Sequence, residues 1–404
     1  MKLLWAMVTV AVSTVMSTIA IYKTQSEPQL ASIGFVESQN QQPVDDVLAL
    51  VNLGSRVAGT LESEEALAYL RSEYQKAGYE TEVQTFTYPK FEDRGSSITI
   101  NDNTVSGRAL NGSIAATRTA SAVVVPNYGR KEDFARIDVE GKIVVVKRGE
   151  IRFGDKASNA EAAGAVGLII VNNAPSNFFG TLDRKIDIPV LSVSGDRGEF
   201  LLQNTSNELR SLTLKVDTVR RQVTGRNLIA KQKNSTQPEV IIGGHYDSVS
   251  GSPGANDNAS GTAVVLNLAR RLANTPQADR VWFVAFDGEE DGLHGSRAFV
   301  DRADSQFLSQ LAGMINFDMV GINNELKISG TSSLIELVEN SSLSETRAVG
   351  GSDHIPFANA KVPVLFFTRG LDPNYHTPED VKVNPRLLDE TIEIGLKVTS
   401  QLLK

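Results

Sequence analysis

From Thr224 onward, short apolar runs alternate with stretches of helical periodicity, and this alternation limits the fold more than any other feature of the chain. Val240–Gly243, Val281–Phe286, Gly313–Phe317 and Val362–Phe367 read as strands. Thr262–Leu272 reads as a helix, as does the segment from Pro385 to about Leu403, which has Asn384 as its cap and proline at the favoured first position. Wholly apolar strands separated by helices predict an α/β fold, with a central mixed, mostly parallel sheet flanked by helices. Ligands of such sheets bind beyond the carboxyl ends of the strands.

Polar clusters stand at those ends. Val240-Ile-Ile-Gly-Gly runs into His245-Tyr246-Asp247, and a glycine-rich turn follows with Asp257-Asn258. Val281–Phe286 runs into Asp287-Gly288-Glu289-Glu290. The chain has no cysteine and four histidines, His245, His294, His354 and His376. Disulfides, thiolate metal sites and a cysteine nucleophile are therefore excluded. Imidazole and carboxylate remain as metal donors, a combination that suits zinc. Two neighbouring zinc ions need a carboxylate that bridges them. His245, Asp257, Glu290, Asp318 and His376 make up a donor set, and Glu289 stands beside it. Neighbouring glutamates on extended backbone point apart, which leaves one to ligate and one to move a proton. Asp247, two residues beyond His245, is placed to orient that ring. Each residue alone has an ordinary reading, such as a turn and helix cap at Asp257-Asn258. Their joint occurrence at strand ends favours a site.

The remaining sequence frames this region. Its 404 residues, 41% hydrophobic, allow more than one domain. A net charge of -8 with no basic run argues against a nucleic-acid partner. Lys2 precedes an uncharged stretch from Leu3 to Ile21, expected to be a signal peptide or an uncleaved membrane anchor. A polar linker follows over residues 22–44. Either reading puts the body of the protein outside the cytoplasm, secreted or periplasmic, with membrane attachment only if residues 3–21 stay uncleaved. Asp45–Leu53 and a segment from about Ser63 to Gly78 read as helices, and Glu80–Tyr88 as an edge strand. Residues 107–223 differ in texture. Short Val- and Ile-rich strands (Ala122–Val125, Lys142–Val146, Val166–Val171, Pro189–Val193) surround a small-residue helix, Asp155–Ala163, with no histidine.

Taken together, His245-Tyr-Asp247, Gly254-Ala-Asn-Asp257-Asn-Ala-Ser-Gly261, Phe286-Asp-Gly-Glu289-Glu290-Asp-Gly-Leu-His-Gly-Ser296, Asn316-Phe-Asp318-Met319, Ser352-Asp353-His354 and Tyr375-His376-Thr-Pro-Glu-Asp380 resemble the dizinc aminopeptidase family, peptidase family M28. The resemblance covers residues 45–106 and 224–404, which it implies to be a discontinuous catalytic domain. Gly141-Lys-Ile-Val-Val-Val-Lys-Arg-Gly149 and Ala163-Gly-Ala-Val-Gly-Leu-Ile-Ile-Val-Asn-Asn173 resemble the protease-associated domain, expected to be an insertion near the active-site entrance. The first resemblance implies His245 and Asp318 on one zinc, Glu290 and His376 on the other, and Asp257 bridging. It further implies Asp247 behind His245, Glu289 as general base, Tyr375 as oxyanion stabiliser and a cis peptide bond at Asp257-Asn258. His354 is carried over as a candidate substrate-binding residue, and His294 reads as structural. The implied substrates are peptides with a free N-terminus. Carboxypeptidases and dipeptidases share this fold and remain alternatives. Receptors of the same fold, which lose the metal donors, are a more distant one.

Overall fold

The structure, a computed structural model, describes residues 42–178, 180–203, 209–339 and 350–404. The expected signal or anchor segment and most of the expected linker lie outside them. Among the described residues, no helix is long and apolar enough to cross a membrane.

The apolar runs form the middle of a seven-stranded sheet. Val281–Phe286, Val240–His245, Gly313–Phe317 and Val364–Thr368 lie side by side and parallel. Antiparallel strands flank them: Thr218–Lys231 and then Glu80–Asp93 on one side, Lys327–Gly330 on the other. The sheet is thus mixed, with its parallel part at the centre. Strand alternation divides the residues between two cores. Val281, Phe283 and Ala285 face a core shared with Ile242, Leu268 and Ile392. Trp282, Val284 and Phe286 face a second core with Ile241, Phe299 and Phe357. Helices Pro43–Val51, Leu61–Lys76, Gly261–Leu272 and Pro385–Leu402 supply the first layer. Helices His294–Arg302 and His354–Asn359 supply the second. The caps follow the sequence: Thr60 accepts from Ser63 N and Asn384 accepts from Arg386 N.

The sheet and the helix that follows its central strand approach very closely. A Cβ at Gly261 would collide with the carbonyl oxygen of Phe317, and one at Gly244 would lie 2.7 Å from the same atom. These glycines let the Asp257 turn sit directly against the ends of two strands.

A second sheet of eight strands interrupts the first between Asp93 and Thr218. Its middle, Ala116–Val124, Ile143–Lys147, Gly167–Val171 and Val190–Val193, is also parallel. Helices Phe153–Ala162 and Gly195–Gln203 cover it. Strands Ser97–Ile100 and Asn103–Ser106 belong to this sheet, which therefore begins ahead of the expected start at Gly107. The expected edge strand Glu80–Tyr88 likewise continues to Asp93 and pairs along its whole length with Thr218–Lys231. The sequence changes texture only where buried Val and Ile begin. The two-stranded ribbon before that point alternates polar and apolar residues on both sides of the junction.

Candidate metal centre

Four loops at the carboxyl ends of the four parallel strands bring the expected donors together. His245 ends its strand, Glu289 and Glu290 follow Val281–Phe286, Asp318 follows Gly313–Phe317, and His376 lies in the loop after Val364–Thr368. Asp257 comes from the turn that opens helix Gly261–Leu272, and its peptide bond to Asn258 is cis.

Two groups of donor atoms result. His245, Glu289 and Asp318 form one, and Asp257, Glu290 and His376 form the other. Asp257 joins them: its Oδ1 lies 3.2 Å from His245 Nε2 and its Oδ2 lies 3.1 Å from His376 Nε2. His245 Nε2 is also 3.5 Å from Asp318 Oδ1 and 4.0 Å from Glu289 Oε2. His376 Nε2 is 3.0 Å from Glu290 Oε2. His245 Nε2, His376 Nε2, Asp318 Oδ1 and Glu290 Oε1 are buried and lack hydrogen-bond partners among the described residues. Buried polar atoms are rarely left without a partner. A cation bound to each donor group satisfies all four, so the residues present fit a pair of metal ions.

The supporting contacts set the ring orientation. His245 Nδ1 faces only acceptors, the Asp247 carbonyl at 3.2 Å and Asp247 Oδ1 at 3.4 Å. That pairing keeps the proton on Nδ1 and leaves the Nε2 lone pair for a metal. The same Asp247 carboxylate accepts the amides of Glu289 at 3.2 Å and Glu290 at 3.3 Å. One side chain thus positions a donor histidine and the loop that carries both glutamates. These two glutamates part between the groups, Glu289 with His245 and Asp318 and Glu290 with Asp257 and His376, on backbone that is not extended. They lie in a turn after Gly288, at φ 70°, and both carboxylates reach the centre.

Burial and neighbouring charge shape the protonation of these side chains. Burial pulls the His376 pKa down, but Asp257 and Glu290 outweigh it and raise it to about 9. Glu290 is pushed up to about 7, by burial first and Asp257 second. Burial pushes Glu289 well above the carboxylate range, with His245 opposing and Asp318 adding. Burial acts to raise Asp257 as well, but the two imidazoles that face its oxygens hold it low.

The other expected residues fall into place less uniformly. Tyr375 stacks on His376 with ring centroids 3.7 Å apart, and it is 36% exposed. His354 is buried and stacks on Phe366 at 4.4 Å. Burial lowers its pKa to about 4. His294 stacks on Tyr88 at 3.9 Å and belongs to neither donor group.

Several supports have no counterpart in the donor list read from the sequence. Asn258 donates to the carbonyl of Phe317 at 3.0 Å and accepts the amide of Met319 at 3.2 Å, clamping the backbone on both sides of Asp318. Asp380 accepts the amides of Asn256 and Asp257 at 2.8 and 3.1 Å. Its signal was its place in the His376-Thr-Pro-Glu-Asp380 string. Arg56, fully buried, donates to the carbonyls of Tyr246 at 2.7 Å and Gly254 at 3.0 Å, and also to that of Pro253. Burial lowers its pKa to about 10, and Asp247 and Asp380 oppose the shift. Its sequence context, Gly54-Ser55-Arg56, reads only as a turn.

A cavity of 1070 Å³ opens onto the centre. Asp247, Glu290 and His376 line it together with Arg108, Ala109 and Thr181 of the second sheet's segment.

The chain is similar to known proteins in both sequence and fold. The profile of peptidase family M28 matches residues 227–398, and that of the PA domain matches residues 110–201. Aminopeptidase YwaD of Bacillus subtilis is 35% identical over 362 residues, covering 81% of this chain and 76% of that protein. A probable lipoprotein aminopeptidase, LpqL, of Mycobacterium tuberculosis is 34% identical over 69% of this chain; the match spans 57% of its own length. The solved zinc aminopeptidase BSAP from Bacillus subtilis superposes with a TM-score of 0.75 at 30% identity, covering 89% of this chain and 94% of that one.

Proposed function

Because the chain belongs to peptidase family M28 as one of its aminopeptidases, we propose that it is an exported dizinc enzyme that hydrolyses the first peptide bond of peptides with a free N-terminus. Asp257 carries this reading, since its two oxygens address different imidazoles, as a carboxylate bridging two ions must. His245 and Asp318 would hold one zinc, and Glu290 and His376 the other. Zinc bound there supplies Lewis acidity, which acidifies water and polarises a carbonyl.

The chain's own residues do the rest. Glu289 is half-buried, its desolvation favours holding a proton, and it is not needed as a donor once Asp257 bridges. It suits a general base that takes a proton from the attacking water and returns it to the leaving amine. Asp247 keeps the His245 proton on Nδ1 and fixes the Glu289 loop. Tyr375, held against His376, is the candidate donor to the oxygen that gains negative charge. His354 is buried against Phe366 and does not line the cavity, which supports an indirect rather than a direct part in substrate binding. The inserted segment between Asp93 and Thr218 contributes Arg108 and Thr181 to the cavity, which supports a part in access to the centre. Export rests on the Lys2–Ile21 segment and on the relative described as a probable lipoprotein aminopeptidase.

The test is a substrate panel with zinc-loaded protein: free-amine aminoacyl amides, N-blocked peptides and C-terminally varied dipeptides, with and without chelator. Chelator-sensitive cleavage of the free-amine substrates alone is expected. Cleavage that requires a free carboxylate and tolerates a blocked amine would move the protein to the carboxypeptidases.

A further inference from the structure

The cavity before the centre is electrically two-ended. Its buried part carries Asp247 and Glu290, while Arg220, Arg221 and Arg297 line it from exposed positions. Lys90 and Arg108 line it as well. These five cations come from separate pieces of the chain: the two ribbon strands, the short strand Arg108–Ala109 and helix His294–Arg302. Apart from the two residues at the centre, only three carboxylates line the cavity, Glu92, Asp93 and Asp291. Their bonding is largely committed. Asp291 pairs with Lys90 at 2.8 Å and accepts from Tyr88 at 2.6 Å. Glu92 pairs with Arg221 at 3.1 Å. Asp93 accepts from the amides of Gly95, Ser96 and Ala109. Arg220 and Arg297 have no carboxylate partner among the described residues. Arg297, which lines the cavity, spends its Nε on the carbonyl of Gly292 at 3.2 Å, and its terminal nitrogens are uncommitted among the described residues. The chain as a whole carries net charge -8, so this cationic surplus is local.

A peptide with a free amine is itself two-ended, with a positive start and a negative end or acidic side chain further on. The volume of 1070 Å³ stands at the top of the range of about 300–1,000 Å³ usual for small-molecule sites. That is room for a short peptide lying along the cavity. Arginine is the side chain best suited to receive a carboxylate, which it can grip with two parallel bonds.

We propose that the outer cavity recognises a carboxylate on the leaving side of the scissile bond, through Arg220 and Arg297. That carboxylate is either the C-terminus of a short peptide or an acidic side chain near the cut. The inference rests on the aminopeptidase reading and adds the substrate class to it.

The experiment compares kcat/KM in matched pairs with the zinc-loaded enzyme. Leu-Gly-Gly is set against its C-terminal amide, and Leu-Gly-Glu-amide against Leu-Gly-Gln-amide, with leucinamide as a substrate that has no downstream group. An acid-over-neutral ratio of roughly three to ten is expected in at least one pair, falling as salt is raised. The pair that shows it identifies the source of the carboxylate. The ratio should move toward one in Arg220→Gln and Arg297→Gln, and further in the double variant. A merely structural role for either arginine would change the rates for both members of a pair and leave their ratio alone. Ratios of one in the wild type, or ratios unmoved by both substitutions, overturn the inference. If leucinamide is still cleaved in that case, the aminopeptidase reading survives. Failure to cleave any free-amine substrate removes both.

Discussion

In the seven-stranded sheet, the parallel strands and their loops end in side chains whose buried polar atoms have no hydrogen-bond partner among the described residues: His245 Nε2, Asp318 Oδ1, Glu290 Oε1 and His376 Nε2. In the eight-stranded sheet, the parallel strands end in side chains that satisfy their neighbours. Asn172, just past its strand, donates to Ser176 O at 2.6 Å and accepts from Arg148 at 3.0 Å and from its neighbouring amide. Arg148 also lies over the Phe178 ring at 4.4 Å. Both sheets bury parallel Val- and Ile-rich strands by the same physics. What separates a site from a scaffold is whether the polar groups at the strand ends close on each other or remain open to a ligand.

The contrast can be broken most severely at Glu289. Glu289→Gln should lower kcat by about 10²–10⁴-fold with bound zinc unchanged by elemental analysis. Near-full turnover would remove Glu289 as the base. Each sheet segment also holds a buried cation that donates to carbonyls, Arg56 in one and Lys156 in the other. Arg56→Met should cost about 3 kcal/mol in urea unfolding, because several buried carbonyls lose their donor. It should also weaken zinc binding, since Tyr246 and Gly254 flank the His245 and Asp257 segments. Lys156→Met should leave zinc affinity untouched, and a drop there would erase the distinction between the sheets. Asp247→Asn should lower zinc affinity by about 10–100-fold in a chelator competition, as loss of a carboxylate behind a metal-bound imidazole does.

The smallest effect is expected at His354, one of many groups titrating in acid. Its folded pKa is about 4, lowered by burial, against an unfolded value of about 6.5. Between these values the unfolded chain binds the extra proton, so stability falls as pH drops from 6.5 toward 4. His354→Phe should flatten that part of the stability profile relative to wild type. An unchanged slope would mean that the ring is not buried neutral.

Much of the site was legible because its chemistry is local. Residue types that can ligate zinc stood directly after apolar runs, and strand ends could be read from those runs alone. The backbone support of Glu289-Glu290 was not legible, because it depends on a turn after Gly288 and on an Asp247 carboxylate that gathers both amides from a different strand end. Arg56 was not legible at all. Its acceptors lie almost two hundred residues away, and nothing around Gly54-Ser55-Arg56 distinguishes a buried arginine from a solvated one. Asn258 had looked like a helix cap. It does accept the amide of Gly261, but its more consequential bonds cross to the backbone around Asp318. The extent of the second sheet was blurred for a related reason. Its first strands are partly exposed and follow the ribbon without a break in composition.

By itself the sequence determined the donor inventory, the absence of thiolate chemistry, and an alternation of apolar strands and helices that places polar residues at strand ends. These follow from residue type and short-range periodicity, which any segment carries with it. The tertiary structure alone decided that Asp257 faces two imidazoles at once, that Asp247 serves a histidine and two glutamates together, and that cations from four strands and helices line one cavity. Those outcomes depend on distances between residues far apart in the chain. Only the packing of the sheet, its glycine-tight helix and the inserted second sheet can set such distances.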